Sequence, residues 1–384
     1  MSLAGGGMND IALKILWADI GKAVAMIVGV AFSTLLMAQQ AAIFVCLMGN
    51  SASHITAAQD VDIWVADSRA DYFDDPGALP AALVNRVRSI PGVAFAAPFI
   101  RTGAVVDTAA LVEQTVLIGI DPVSLLGAPQ KMVAGSLEDL RTTDTFIVDR
   151  RGYGDIWPDE DVALGRFVEV DGRRLRLVGI VDPPSPFISQ PLIYTSLATA
   201  SLIRPGAAPG FVVVRAENGA DAPTVAAAIT ERTGFGAFDS AAFSRMTIDY
   251  YLHNTGIPIN FFITITLGFI VGAAIVAQTF YLFVAENLKH LAVFKAMGAN
   301  ARQLLIMTAI QCVTVAVVGF SFGLAGAVWF FESVPDKIPA FKGFYLPVGV
   351  LVKVAFAVLG VSLLSGLVSI QRAVRFAPAQ VLRG

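Results

Sequence analysis

Four apolar stretches constrain the fold more than any other feature of this 384-residue sequence. A helix needs about 20 apolar residues to cross roughly 30 Å of hydrocarbon, and each stretch reaches that length. Only 15% of the residues are charged, whereas soluble domains contain about 25%. The sequence therefore indicates a membrane protein with four transmembrane helices, over residues 23–48, 257–285, 303–331 and 348–371.

A segment of ordinary globular composition, residues 49–256, separates the first two spans and contains 25 Asp and Glu against 16 Lys and Arg. Strand patterns followed by helical patterns predict an α/β module built from about 55–125 and 208–245. Short strand patterns between these halves predict a β-rich insertion over about 130–200, and the Asp-Gly pair at 171–172 predicts a hairpin turn there. The fold class is thus a membrane helical domain with a large α/β domain inserted between helices 1 and 2.

Basic residues in the short flanking segments predict the orientation of the chain. Residues 1–22, 286–302 and 372–384 together carry eight Lys and Arg against three acids. Cytoplasmic loops carry such an excess, so both termini and the 286–302 loop are expected in the cytoplasm. The 49–256 domain and the 332–347 loop then lie on the other side. The eight basic residues are Lys14, Lys22, Lys289, Lys295, Arg302, Arg372, Arg375 and Arg383.

The segment before the first span has two interpretations. Residues 8–22 have the pattern of an amphipathic helix at the inner interface, and they also fit a simple extension of the first span. A cleaved signal peptide is disfavoured because the apolar run has 26 residues, whereas the apolar region of a signal peptide usually has about 7 to 15.

The sequence shows no pattern typical of a catalytic or metal site. His54, His253 and His290 lie far apart, and no H-x-x-x-H or C-x-x-C spacing occurs. The two cysteines, Cys46 and Cys312, both fall in predicted spans. There is also no G-x-x-x-x-G-K-S/T motif for ATP phosphates. We therefore expect a non-catalytic chain that binds no cofactor or nucleic acid, and any ATP hydrolysis would come from another subunit.

Small residues four positions apart permit close contact between membrane helices. Such pairs could pack helices within one subunit or form the seam of a homodimer, and the sequence leaves both interpretations open. The spans contain almost no ionisable groups, which disfavours an ion-coupled carrier. The small residues are Ala25, Gly29, Gly268, Gly272, Gly319 and Gly323.

The cytoplasmic loop ENLKHLAVFKAMGANAR (286–302) resembles that of FtsX-like permease domains in MacB-type ABC transporters. Members of this family have a pattern of the type R-E-x-G-x-L-K/R-A-L/M-G-A, of which Lys295 to Ala299 keep the second half. Pro378, Leu382 and Arg383 match the family's P-x-x-x-L-R ending, and the first span is similar to that of DevC-type exporter permeases. Lys289 and His290 depart from the usual Arg-Glu pair.

This resemblance implies a homodimeric permease in the bacterial inner membrane with its large domain in the periplasm. Two separate ABC ATPase subunits would bind ATP and Mg, and the 286–302 segment would be a coupling helix held in a groove of the ATPase. A connector lying on lipid headgroups is the other interpretation of this segment. The expected coupling residues are Leu288, Lys289, His290, Leu291, Phe294, Lys295, Met297, Gly298, Ala299 and Arg302.

The function implied by the resemblance is ATP-driven export of hydrophobic or amphiphilic substrates by transmission of ATPase motion to the outer domain. The resemblance also implies a HlyD-like periplasmic adaptor and an outer-membrane duct as further partners. Two alternatives share the same layout: an FtsX-like regulator that activates a periplasmic cell-wall hydrolase, and a permease that releases lipoproteins from the membrane.

Overall fold

The computed structural model describes residues 5–108, 112–158, 160–183, 190–286, 300–334, 338, 341 and 343–375. The chain divides into two compact units. We call the first, Met1–Cys46 with Gly256–Gly384, the membrane unit, and the second, Leu47–Thr255, the outer domain.

Among the described residues, four helices are long and apolar enough to cross a membrane. A further helix, α1, precedes the first of them and is separated from it only by Asp19. Four transmembrane helices with a large domain between the first two are therefore confirmed. The helices are α1 (Gly5–Ala18), α2 (Ile20–Asn50), α9 (Ile257–Glu286), α10 (Ala301–Ser333) and α11 (Val348–Arg375), of which α2, α9, α10 and α11 are the candidate spans.

The main core of the membrane unit is a cluster of buried apolar side chains drawn from all five helices. Each of the five helices contributes, from Leu16 in α1 to Val358 in α11. Phe280 of α9 and Cys312 of α10 are fully buried in it. Lipid is as apolar as these side chains, so tight packing and hydrogen bonds hold such helices together.

The outer domain contains ten strands and six helices among its described residues. Its strands are β1 (Ile63–Ala66), β2 (Val93–Asp107), β3 (Val112–Ile120), β4 (Met132–Gly135), β5 (Thr145–Asp149), β6 (Phe167–Val170), β7 (Arg173–Val181), β8 (Leu192–Ser196), β9 (Phe211–Ala216) and β10 (Gly236–Asp239). Its helices are α3 (Ser53–Thr56), α4 (Leu83–Arg88), α5 (Arg150–Ile156), α6 (Leu197–Ile203), α7 (Ala222–Thr233) and α8 (Ser240–Asn254). A 3-10 helix spans Leu137–Arg141.

The ten strands form one sheet in the order β10-β1-β9-β2-β3-β8-β5-β7-β4, with β6 paired to β2 and β7. Strand β2 is 15 residues long and belongs to both parts of this sheet. Its first half, from Val93 to Phe99, pairs with β9, and its second half, from Ile100 to Asp107, pairs with β3. The α/β character expected of this domain is confirmed.

Local sequence signals explain where several of these elements end. Asp221 caps α7 by accepting a hydrogen bond from the Thr224 N–H at 3.1 Å. Gly234 ends α7 with a φ of 76°, a left-handed conformation that suits glycine. Asp171 and Gly172 also have positive φ, 44° and 82°, between the paired strands β6 and β7. The predicted hairpin turn is therefore confirmed.

Asp149 is a buried carboxylate that joins three elements. It is the last residue of β5, precedes α5, and accepts hydrogen bonds from the Gly152 N–H at 3.1 Å and the Leu192 N–H at 2.7 Å. Burial raises the pKa of Asp149 to about 6, although both donors oppose the rise. Its charge is therefore a cost of the fold at neutral pH, offset in part by the two hydrogen bonds.

We predict that Asp149→Asn changes how the stability of the outer domain depends on pH. The folded-state pKa of about 6 lies above the ordinary value of 3.8, so the folded chain binds the extra proton and loses stability as pH rises between these values. A pKa difference of one corresponds to about 1.4 kcal/mol. Between pH 4 and pH 7, the free energy of unfolding of the variant should therefore rise by up to about 3 kcal/mol relative to that of the unaltered chain. Denaturant unfolding followed by tryptophan fluorescence measures it.

Asp221→Asn is the matched control, because Asp221 caps α7 from an exposed position. This control should keep the pH profile of the unaltered chain. A stability difference for Asp149→Asn that stays constant from pH 4 to pH 7 contradicts the prediction.

Candidate functional site

The predicted coupling segment is the first candidate site. Of its ten predicted contact residues, only Arg302 is among the described residues, and it lies exposed in the first turn of α10. The role of the segment remains a prediction. The other nine, which lie outside the described residues, are Leu288, Lys289, His290, Leu291, Phe294, Lys295, Met297, Gly298 and Ala299.

The helix ends on either side of that segment have defined partners. Glu286, at the end of α9, forms an ion pair with Lys22 near the start of α2, and Lys22 also pairs with Asp19. At the other side Asn300 caps α10, and its N–H donates to the Gln303 Oε1 at 2.8 Å. Sequence reasoning missed the Lys22–Glu286 pair, although both residues mark the same predicted boundary of the membrane.

Glycines bring α2 and α9 into close contact. A Cβ at Gly272 would lie 2.1 Å from the Ser33 Oγ, and one at Gly29 would lie 2.5 Å from the Ile275 Cγ2. The Ser33 hydroxyl donates to the carbonyl oxygen of Gly268 at 3.0 Å. These contacts leave no room for a side chain between the two helices, so the glycines set their separation.

The contact between α2 and α10 is equally close. A Cβ at Gly319 would lie 2.6 Å from the Val30 Cβ, and one at Gly323 would lie 2.4 Å from the carbonyl oxygen of Ala31. Ala25, by contrast, is exposed. The five predicted glycines thus lie at contacts inside one chain, and α2 is the helix that α9 and α10 both approach.

Two further contacts complete the bundle. The buried Gln311 side chain of α10 donates to the carbonyl oxygen of Ala12 at 2.9 Å and so holds α1 against the membrane helices. A Cβ at Gly366 of α11 would lie 2.1 Å from the Cys312 Sγ of α10. The Ser33 and Gln311 side chains therefore link helices of the bundle.

The chemistry available to this unit is limited. Acidic and basic residues of the four spans lie at or near helix ends, and Lys353 close to the start of α11 is exposed. An open groove between α9 and α11 is lined mainly by apolar side chains, with Gln278, Tyr281 and Ser365 as its polar members. In the part of the chain that the structure describes, no three His, Cys, Asp or Glu side chains come together as metal ligands would.

Two family models match the chain. Residues 23–232, more than half of the sequence, match the MacB-like periplasmic core domain, and residues 246–378 match the FtsX-like permease C-terminal domain. The two matches together extend from the first span to the tail after the fourth. The first match takes in α2 as well as most of the outer domain, and the second begins within α8 and includes the other three spans.

Two relatives in sequence are named as ABC transporter permeases, and one of them is similar in length to this chain. An uncharacterized ABC transporter permease of Mycobacterium tuberculosis is 24% identical over 342 residues, which are 87% of this chain and 87% of that protein. The macrolide export ATP-binding/permease protein MacB of Agrobacterium fabrum is 23% identical over 315 residues. Those residues are 78% of this chain and 48% of that protein.

Two solved structures match parts of the chain. The periplasmic region of MacB from Actinobacillus actinomycetemcomitans is 17% identical with a TM-score of 0.40, and the match covers 52% of this chain and 96% of that one. The extracellular domain of the noncanonic ABC-type transporter YknZ from Gram-positive bacteria is 12% identical with a TM-score of 0.35, over 47% of this chain and 98% of that one.

We predict that Gly323→Ala destabilises the membrane unit. The added methyl would meet the Ala31 carbonyl oxygen at 2.4 Å, and overpacking of this kind costs about 1–3 kcal/mol. Gly360→Ala in α11 is the matched control, because no atom lies within 4 Å of its Cβ position and alanine favours a helix. Thermal unfolding in detergent should show a lower midpoint for Gly323→Ala only. Equal midpoints for the two variants contradict the prediction.

Proposed function

Because this chain belongs to the family of ABC transporter permeases with a MacB-like periplasmic core domain and an FtsX-like permease region, we propose that it exports hydrophobic or amphiphilic molecules with energy from a separate ATPase. The family implies an ABC ATPase partner. We propose that two copies of the chain form the permease, in the bacterial inner membrane, with both termini and the 286–302 loop in the cytoplasm.

The observation that carries this proposal is the position of the charged groups. The four spans carry acidic and basic residues only at or near their ends. A carrier driven by protons or ions usually needs such groups within the membrane. The energy for transport must then enter outside the spans, and the basic loop between α9 and α10 is the predicted entry point.

A movement of the ATPase can reach the outer domain through the chain itself. Helix α2 runs from Ile20 to Asn50 and so extends into the outer domain, while α8 leads into α9 through two residues. Both membrane helices that adjoin the outer domain are held together by the glycine contacts of α2. We propose that ATP binding displaces the coupling segment and that α2 and α9 carry the displacement outward.

Two observations support a hydrophobic or amphiphilic substrate. The apolar groove between α9 and α11 offers no acidic or basic side chain among its lining residues. The relative from Agrobacterium fabrum is named a macrolide exporter, and macrolides are large amphiphilic molecules. A HlyD-like adaptor and an outer-membrane duct are proposed on family resemblance alone.

We predict that Phe294→Ala and Gly298→Pro uncouple the chain from its ATPase. Truncating a buried aromatic anchor at an interface costs about 2 kcal/mol or more, so Phe294→Ala should weaken ATPase binding about 30-fold. Proline in place of Gly298 cannot adopt the positive φ expected after a helix end. Copurification of the ATPase and substrate-stimulated ATP hydrolysis in proteoliposomes measure the two effects.

Phe322→Ala is the matched control, since Phe322 is exposed on α10 inside the membrane. It should leave both measurements unchanged. Normal coupling in both loop variants contradicts the role of the segment. A copurified cell-wall hydrolase without substrate-stimulated hydrolysis supports the regulator, and lipoprotein bound to the purified chain supports lipoprotein release.

A further inference from the structure

A largely buried ion pair lies in the outer domain beside the helix that leads to the second span. The Arg101 Nη2 contacts the Asp74 Oδ1 at 2.6 Å, and their side chains are only 13% and 17% exposed. The Tyr251 hydroxyl of α8 donates to the other oxygen, Asp74 Oδ2, at 2.6 Å. Burial and this hydrogen bond hold the pKa of Tyr251 above its usual value, so the phenol keeps its proton. Asp74 thus joins α8 to β2.

The residues just before Asp74 attach to the same helix. The Phe73 N–H donates to the Thr247 Oγ1 at 3.2 Å, and the ring of Tyr72 stacks on Tyr250 with centroids 3.8 Å apart. Three consecutive residues, 72 to 74, are therefore fixed to α8 by different kinds of contact. A displacement of α8 must move this segment with it.

The segment that follows the first span reaches the same place. Only two residues separate the end of α2 from α3, and His54 of α3 stacks on Phe73 with centroids 5.5 Å apart. Burial, together with the charge of Arg101, lowers the pKa of His54 to about 4, so the imidazole is neutral at pH 7. It therefore adds no second cation beside Arg101. We call His54, Asp74, Arg101 and Tyr251 the junction cluster.

Arg101 occupies a particular position on β2. Phe99 is the last residue of β2 that pairs with β9, while Ile100 and Arg101 are the first that pair with β3. The ion pair therefore attaches to the strand where the two parts of the sheet meet. A movement applied at Arg101 acts on both parts together.

We infer that the junction cluster passes movement of α8 to β2, and through β2 to both parts of the outer domain. This inference rests on the proposed function. A buried ion pair adds little stability compared with apolar side chains of the same volume. A contribution to stability therefore does not explain why an ion pair is found here. What it adds is a fixed geometry, because the two oxygens of Asp74 bind two partners on different elements. The cluster residues are positioning residues.

The test compares hydrogen exchange in the full chain bound to its ATPase subunits in nanodiscs, with and without a non-hydrolysable ATP analogue. In the unaltered chain, nucleotide should change exchange in α8 and in β2. Tyr251→Phe removes one hydroxyl and Asp74→Asn removes one charge. In both, the change in α8 should persist and the change in β2 should be lost.

Tyr153→Phe is the matched control, since the Tyr153 hydroxyl forms its hydrogen bonds with the Asp161 carbonyl oxygen and the Ala163 N–H and not with the junction cluster. It should behave as the unaltered chain does. If the nucleotide effect reaches β2 in all variants, the inference is overturned while the proposed function stands. Faster exchange of β2 in the cluster variants without nucleotide also overturns the inference, because it marks a purely structural role. No nucleotide effect in α8 of the unaltered chain overturns the proposed function and this inference with it.

Discussion

A lipid bilayer offers no water to hydrogen-bond a free amide or carbonyl, so a chain that crosses it must satisfy its backbone internally. Four long helices do this here. Once the backbone is satisfied, burial of apolar surface no longer favours helix association, because lipid is just as apolar. The bundle therefore depends on close approach: Gly29, Gly272, Gly319 and Gly323 let α9 and α10 contact the surface of α2. Helix α2 becomes the common partner of its neighbours.

The outer domain follows the physics of a water-soluble protein. Its core contains a cluster of aromatic rings, in which Trp64 contacts Phe73, Phe99 and Phe211 with centroids 5.3 to 5.5 Å apart. Moving such rings out of water into the core is strongly favourable. Phe73 belongs both to this core and to the segment fixed to α8, so the apolar core and the junction cluster support each other.

The two units also differ in how they use charge. The spans keep ionisable groups at their ends, where the cost of placing a charge in hydrocarbon is avoided. The outer domain places acidic groups away from water beside defined partners: Asp149 accepts two backbone N–H groups, and Asp74 binds Arg101 and Tyr251. This division fits a protein in which the membrane helices carry movement and the outer domain converts it. Hydrogen bonds and ion pairs fix the relative orientation of two elements more closely than apolar packing does.

The sequence by itself determined the number of spans, their order, the α/β character of the inserted domain and the hairpin at Asp171, because hydrophobic length, periodicity and turn residues are local properties. The residues of the 286–302 loop were enough to indicate the family, although the contacts of that loop remain a prediction. Only the tertiary structure decided that the five glycines, and not Ala25, lie where α2 meets α9 and α10. It also decided that β2 serves both parts of the sheet and that Asp74, Arg101 and Tyr251 meet. These residues are up to 177 positions apart, and no local pattern encodes a contact made by distant segments of the chain.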